Sequence, residues 1–319
     1  MNEEHVIGLI AKGATQPASL AVGIGDDCAV IKRSGEDLLV SSDILLEEVH
    51  FRCHTTDFTS LAAKALAVNL SDIAAMGGEA RFYTLSLGIP KNISIDAITS
   101  MAEGFRKTEK MYQVSLMGGD TCKSLSHLVI SITVLGTVPS GEALLRSGAS
   151  CGDGIYVTGP LGSSALGLRC LEKKVDHPKA HPFLRAHQLP SAQLQAGIQL
   201  RKSGMVTSMI DVSDGLFLDL ERIAKASGVG FEIEVKNIPR AHNFEAVCRL
   251  CDLDPIETIL TGGEDYQLCF TVDVKKSAEF EKKYSYARIG TICEQGRVVA
   301  FDEKGAMISL SHKGYDHFD

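Results

Sequence analysis

The chain has 319 residues, more than a single hydrophobic core usually serves, so two domains of ordinary size are expected. Its 45% hydrophobic and 23% charged residues exclude a disordered chain, and a net charge of -8 lacks the basic balance of a nucleic-acid surface. No apolar run approaches the ~20 residues that span a bilayer, and the acidic start Met1-Asn2-Glu3-Glu4-His5 lacks the basic opening of a secretory signal, which points to a cytoplasmic protein.

Residues 28–32 and 37–42 are rich in Val, Ile and Leu and flank Ser34-Gly35-Glu36, a hairpin signal. Residues 44–52 continue as an extended apolar stretch that includes His50. Asp57 and Thr59 offer N-caps for a helix from about Leu61 to Met76, stopped by Gly77-Gly78. That helix is apolar almost all round, which marks it as buried. Its exceptions are Lys64, Asn69, Ser71 and Asp72, with Asn69 and Asp72 three apart on one face. A strand over 80–89, a helix over 95–112 and a short strand over 114–117 follow, the last ending in a predicted turn at Gly118-Gly119-Asp120-Thr121. Residues 127–138 alternate as another strand, and glycines between 140 and 152 mark a boundary, giving domains 1–148 and 149–319.

The second half repeats this style. A strand at 153–158 leads to Gly162-Ser163-Ser164, which opens a helix; another helix runs from Pro190 towards Ser203. Met209-Ile210 enters Asp211-Val212-Ser213-Asp214-Gly215, followed by a helix over 216–226 and a strand over 231–235. Thr261-Gly262-Gly263-Glu264-Asp265-Tyr266 precedes a strand at 267–273, and a helix at 275–283 and strands at 286–292 and 297–301 close the chain. The fold expected is α/β of the α+β type: two α/β domains with mixed sheets.

Nine cysteines are dispersed, mostly inside apolar runs, as free thiols of a reducing compartment are. Cys248-Arg249-Leu250-Cys251 is a lone C-x-x-C in a helical segment and reads as packing, and nothing completes a soft-metal site around His50, Cys53 and His54, which read as packing or surface chemistry. The chemistry lies in carboxylates at glycine- and serine-rich turns: Gly23-Ile24-Gly25-Asp26-Asp27, Ser41-Ser42-Asp43, Ser71-Asp72, Gly118-Gly119-Asp120, Asp211 to Asp214 and Gly262 to Asp265. Two carboxylates about 4 Å apart repel by roughly 4 kcal/mol at an effective dielectric near 20, so acids that converge need cations. Hard oxygen ligands select Mg²⁺, which binds jointly with substrate phosphates. There is no G-x-x-x-x-G-K-[ST] loop and no protein-kinase H-R-D or D-F-G set.

These turns, the string Lys64 to Gly77 and the terminal Gly314-Tyr315-Asp316-His317-Phe318 resemble the bacterial thiamine-monophosphate kinases. That family sits in the superfamily of aminoimidazole ribonucleotide synthetase, selenophosphate synthetase and the hydrogenase maturation dehydratase. The resemblance covers essentially the whole chain. It implies an aminoimidazole ribonucleotide synthetase-like fold, an N-terminal domain for ATP, Mg²⁺ and dimerisation, and a C-terminal domain that completes the site. It further implies several Mg²⁺ ions on Asp27, Ser41, Ser42, Asp43, Asp72, Asp120, Asp211 and Asp214, with Ser42 at a place usually held by threonine. ATP contacts are implied for Gly119, Asp120, Arg146 and Ser213, and acceptor contacts for His50, Glu264 and Tyr315.

The implied reaction is in-line transfer from ATP to the phosphate of thiamine monophosphate, giving thiamine diphosphate. It is electrostatic and metal-assisted, without a dedicated catalytic base, and is run by a homodimer that binds neither nucleic acid nor membrane. Two alternatives stand beside it: a related ATP-dependent enzyme acting on a purine intermediate or selenide, and a non-catalytic divalent-cation or nucleotide-binding protein. The segment before Gly23 lacks the reactive cysteine of selenophosphate synthetases, and no EF-hand loop is present.

Overall fold

The structure, a computed structural model, describes residues 3–12, 14 and 17–316. Met1 and Asn2, and His317 and Phe318 of the terminal motif, lie outside the described residues. In chain order the first half comprises α1 (Glu3–Ala11), β1 (Leu20–Val22), β2 (Ala29–Ile31), β3 (Glu36–Leu46), α2 (Phe58–Ala75), β4 (Glu79–Ile89), α3 (Ile95–Tyr112), β5 (Ser115–Lys123) and β6 (Val129–Pro139). The second half comprises β7 (Gly154–Val157), α4 (Ser163–Glu172), α5 (His181–Gln188), α6 (Leu194–Ser203), β8 (Val206–Asp211), α7 (Leu216–Ser227), β9 (Gly230–Glu234), α8 (Phe244–Leu250), α9 (Pro255–Thr261), β10 (Leu268–Val272), α10 (Ser277–Lys283), β11 (Ala287–Cys293) and β12 (Val298–Phe301).

Each half builds a mixed six-stranded sheet, in the orders β1-β2-β3-β6-β4-β5 and β12-β9-β11-β7-β10-β8. β4 and β5 are parallel and joined through α3, and β12 lies parallel to β9; the other pairs are antiparallel. α2 lies between the halves. Its N-cap Asp57 accepts the Ser60 N–H at 2.9 Å, and thirteen of its eighteen residues are buried. It packs on β3, β6 and α3 of its own half and on α6 and β8 of the other. One apolar core therefore includes Leu61, Leu66 and Leu70 together with Met209 and Phe270, while a second core belongs to the C-terminal half alone. Burial of each such side chain contributes roughly 1.5–3 kcal/mol.

Three expectations are corrected. The Gly118-Gly119-Asp120 segment is not a turn but the middle of β5, a parallel edge strand. Glycine is needed there because a Cβ on Gly119 would lie 1.8 Å from the Leu85 carbonyl oxygen. β3 ends at Leu46, and His50 sits in the turn after it, where its Nδ1 accepts the Leu46 N–H at 3.0 Å. α5 was not anticipated, because His181-Pro182 opens it without an apolar run. The C-x-x-C cysteines are packed in the second core, with Cys170 Sγ 3.3 Å from Cys251 Sγ. No described helix is long and apolar enough to cross a membrane.

Candidate active site

Five of the six acidic segments converge where α2 meets β8. Strand alternation on β3 puts Leu39, Ser41, Asp43 and Leu45 on the face towards α2 and Ser42 on the other. The register agrees, since Ser41 and Asp43 pair with the buried Val134 and Ile132. Asn69 on α2 locks this arrangement: its Oδ1 accepts the Asp43 N–H at 3.0 Å, and its Nδ2 donates to the Ala65 carbonyl at 2.9 Å. Ser41 Oγ donates to Asp72 Oδ2. One helical position earlier, Ser71 Oγ donates to Asp211 Oδ2 at 2.6 Å, so adjacent hydroxyl bonds join β3, α2 and β8. Ser42 instead donates its hydroxyl to the Ile132 carbonyl at 3.0 Å, away from the acids.

Asp27, Asp72 and Asp211 each offer an oxygen within 4.8 Å of the other two. Two oxygens on one hard cation at about 2.0–2.6 Å lie at most about 4–5 Å apart, so the three stand close to the spacing that one ion would draw them into. Asp27 accepts from Arg146 Nη2 at 2.6 Å and Nε at 3.1 Å through Oδ1, while its Oδ2 is buried without a hydrogen-bond partner among the described residues. An oxygen-only donor set with an orphaned buried lone pair fits a hard cation such as Mg²⁺. The electrostatics agree. Burial, then Asp43, Asp211 and Asp27, pushes the Asp72 carboxyl well above its usual range. Burial and Asp27 do the same to Asp211. Asp43 is raised to about 6 by burial and Asp214. These groups resist ionising together without a counter-cation.

The surrounding residues hold this cluster in shape. Asp26 takes the backbone N–H groups of Asp27 at 3.0 Å and of Arg146 at 3.3 Å, tying two loops together. Asp214 pairs with Arg222 at 2.6 Å. Asp219, buried within α7, accepts N–H groups from Ser213, Asp214 and Gly215 at 3.1–3.2 Å and so fixes the turn that carries Asp214. The Tyr315 N–H donates to the Asp214 carbonyl at 2.9 Å, which brings the tail to the same turn. Glu264 occupies a left-handed backbone conformation (φ 63°), its N–H bonded to the Ser213 carbonyl at 2.7 Å. Its carboxylate meets Lys64 Nζ at 2.9 and 3.0 Å and His187 Nδ1 at 3.1 Å. Asp265 turns the other way and accepts the Gly162 and Ser164 N–H groups at the start of α4.

A cleft of about 2700 Å³ is lined by Asp27, Ser41, Ser42, Asp43, His50, Asp72, Arg146, Asp211, Ser213, Asp214, Glu264 and Tyr315. Gly119 and Asp120 are not among its walls. They lie on exposed β5, beside a shallow groove with Leu85, Leu87 and Leu116. Strand order places β5 three strands from β3, about 14 Å away at ~4.8 Å per strand. Sequence reasoning assigned no role to Asp219, Arg222, His187 or Lys64. Only Lys64 left a signal, as a cation on a helix that is otherwise dry.

Family models match twice: AIR synthase related protein, N-terminal domain, over residues 25–138, and AIR synthase related protein, C-terminal domain, over residues 151–306. The thiamine-monophosphate kinase of Bacillus subtilis (strain 168) is 36% identical over 332 aligned positions that span both chains in full. The protein of that name from Escherichia coli (strain K12) is 37% identical over 93% of this chain and 92% of its own. A solved structure, AaThiL complexed with AMPPCP and TMP, has a TM-score of 0.88 and 30% identity over 99% of this chain and 97% of that one. The hydrogenase maturation protein HypE of E. coli, 18% identical with a TM-score of 0.72, shares the fold.

Proposed function

The chain belongs to the thiamine-monophosphate kinase family of AIR synthase related proteins, and from that membership we propose that it phosphorylates thiamine monophosphate with ATP to give thiamine diphosphate. The single observation that carries this to the present residues is the oxygen cluster of Asp27, Asp72 and Asp211, in which Asp27 Oδ2 has no hydrogen-bond partner among the described residues. The structure named AaThiL complexed with AMPPCP and TMP, similar over nearly the whole chain, supports the choice of substrates.

The acceptor phosphate is largely dianionic near neutral pH, because phosphate monoesters have a second pKa of about 6. It attacks the γ-phosphorus of ATP in line, a P–O bond forms to the acceptor oxygen, and ADP leaves with the bridging oxygen. No base has to remove a proton. The difficulty is bringing an anion to a polyanion, and the residues answer it by placement. Asp27, Asp43, Asp72, Asp211 and Asp214, with the Ser41 hydroxyl, would hold Mg²⁺, which supplies charge neutralisation between donor and acceptor phosphates. Arg146 would turn its guanidinium to phosphate oxygens, with Ser213 beside it. His50, Glu264 and Tyr315 would grip the acceptor, the tyrosine face meeting the thiazolium cation.

Gly119 and Asp120 join the site in this reading when a second copy packs on the N-terminal sheet. All nine β5 residues are exposed, and Ile44, Phe82, Leu116 and Met117 are each about half exposed, as expected of a face that a partner covers. A cytoplasmic setting accords with nine free cysteines. Steady-state ADP release with thiamine monophosphate, a purine-pathway ribonucleotide or selenide as the offered acceptor tests the assignment. Turnover is expected with thiamine monophosphate and Mg²⁺; turnover only with one of the others would overturn it.

A further inference from the structure

We propose that Lys64 is a positioning residue for the acceptor, holding the Glu264 carboxylate ionised and aimed into the cleft, and that His187 is the reserve cation for the same carboxylate. The inference rests on the reading that Glu264 meets the acceptor. Its basis is geometric. Lys64 is the only cation on α2 and is 2% exposed, so it does not serve solubility. Its ammonium contacts both Glu264 oxygens, at 2.9 and 3.0 Å, across the junction of the two halves. A contact to both oxygens centres the carboxylate on the ammonium, and His187 Nδ1 beside Oε2 gives it a second anchor. The left-handed backbone at Glu264 and its N–H bond to Ser213 fix the other end of the side chain. The side chain stays 28% exposed towards the cleft.

The surroundings make this cation necessary. The neighbouring Asp265 carboxyl, which has no counter-charge among the described residues, is raised to about 7 by burial. Burial acts on Glu264 in the same direction, yet Lys64 and His187 bring it down to about 2. The Lys64 contact thus favours its anionic form, which suits a cationic heterocycle. His187 Nδ1 lies 3.1 Å from Glu264 Oε2 and 3.1 Å from Ser164 Oγ. The charged groups facing its ring are Lys64 from α2, Glu264 from the turn before β10, and Glu172 from α4. Burial and Lys64 hold this imidazole below its usual range, so in the native protein Lys64 carries the pairing. Without Lys64 the repulsion on His187 is gone while both glutamates remain, and His187 takes up a proton more readily.

The test compares Lys64→Met and Lys64→Met/His187→Gln with the native protein, at about pH 8 and about pH 6. Turnover of thiamine monophosphate by the native protein is measured first and reports on the proposed function alone. For Lys64→Met we expect the KM for thiamine monophosphate to rise about tenfold over native at the higher pH. The KM for ATP should stay within about twofold, and the deficit should shrink at the lower pH as His187 protonates. In the double variant the deficit should persist at both. A purely structural Lys64 would lower the unfolding midpoint without this KM split. An unchanged KM for thiamine monophosphate, or a deficit equal at both pH values in the single variant, overturns the proposal. Lys64→Gln, which keeps a donor without the charge, is read the same way if the Met variant does not fold.

Discussion

Asp72 is a side chain that burial and like charge make costly to the fold, and that the proposed reaction would use. It accepts a hydrogen bond from Ser41 and faces Asp43, Asp211 and Asp27 across a buried space. Its carboxyl is raised in the folded chain, so the stability tied to its protonated form is complete below about 3.8 and is lost as pH rises through the folded value. Asparagine keeps the shape and an acceptor for Ser41 but never ionises. In metal-free buffer, thermal unfolding of Asp72→Asn should therefore match native at about pH 4 and sit above it increasingly towards about pH 8, while kinase turnover falls by at least about a hundredfold. A variant less stable than native at the higher pH would contradict the cluster's electrostatics. That Asp72 was a candidate for chemistry was legible in the sequence, because an acid on an otherwise apolar helix has no solubility role. Its partners were not, since Ser41 and Asp211 come from strands far away in the chain.

The elements fall into those whose pattern spoke for itself and those set by contact alone. α2 was legible through its missing surface charge, whereas β8 was not read as a strand: only Met209-Ile210 before the Asp211 turn stood out. β5 was not: a glycine pair reads as a turn, and only the approach to Leu85 explains it. Asp219 and Arg222 look like the ordinary polar face of an amphipathic helix until the three N–H groups on Asp219 are seen. The α2–α6 contact belongs to the same class. A Cβ on Gly197 would lie 2.1 Å from the Ala74 carbonyl oxygen, so α6 reaches the domain-bridging helix only with hydrogen at that position. Gly197→Ala should cost about 1–3 kcal/mol by overpacking, measured from the shift of the denaturant midpoint; a neutral substitution would mean that the two halves do not meet as described.

At the scale of the molecule, two mixed sheets share one bridging helix, and the acids of both halves close around it. The repeat of sheet and acidic turns in each half was readable from alternating periodicity, whereas the separation of Asp120 from the other acids was not, because strand order is not written in local pattern. That separation makes assembly part of the account: light scattering should return twice the 34.3 kDa chain mass, and a protein active as a monomer would remove the role given to the partner's sheet. The central claim is the transfer itself. Incubation of the purified protein with ATP, Mg²⁺ and thiamine monophosphate, followed by chromatographic resolution of nucleotides and thiamine phosphates, should yield ADP and thiamine diphosphate in equal amounts, and neither when Mg²⁺ is chelated. ADP formed without thiamine diphosphate, or the diphosphate formed undiminished under chelation, would contradict it.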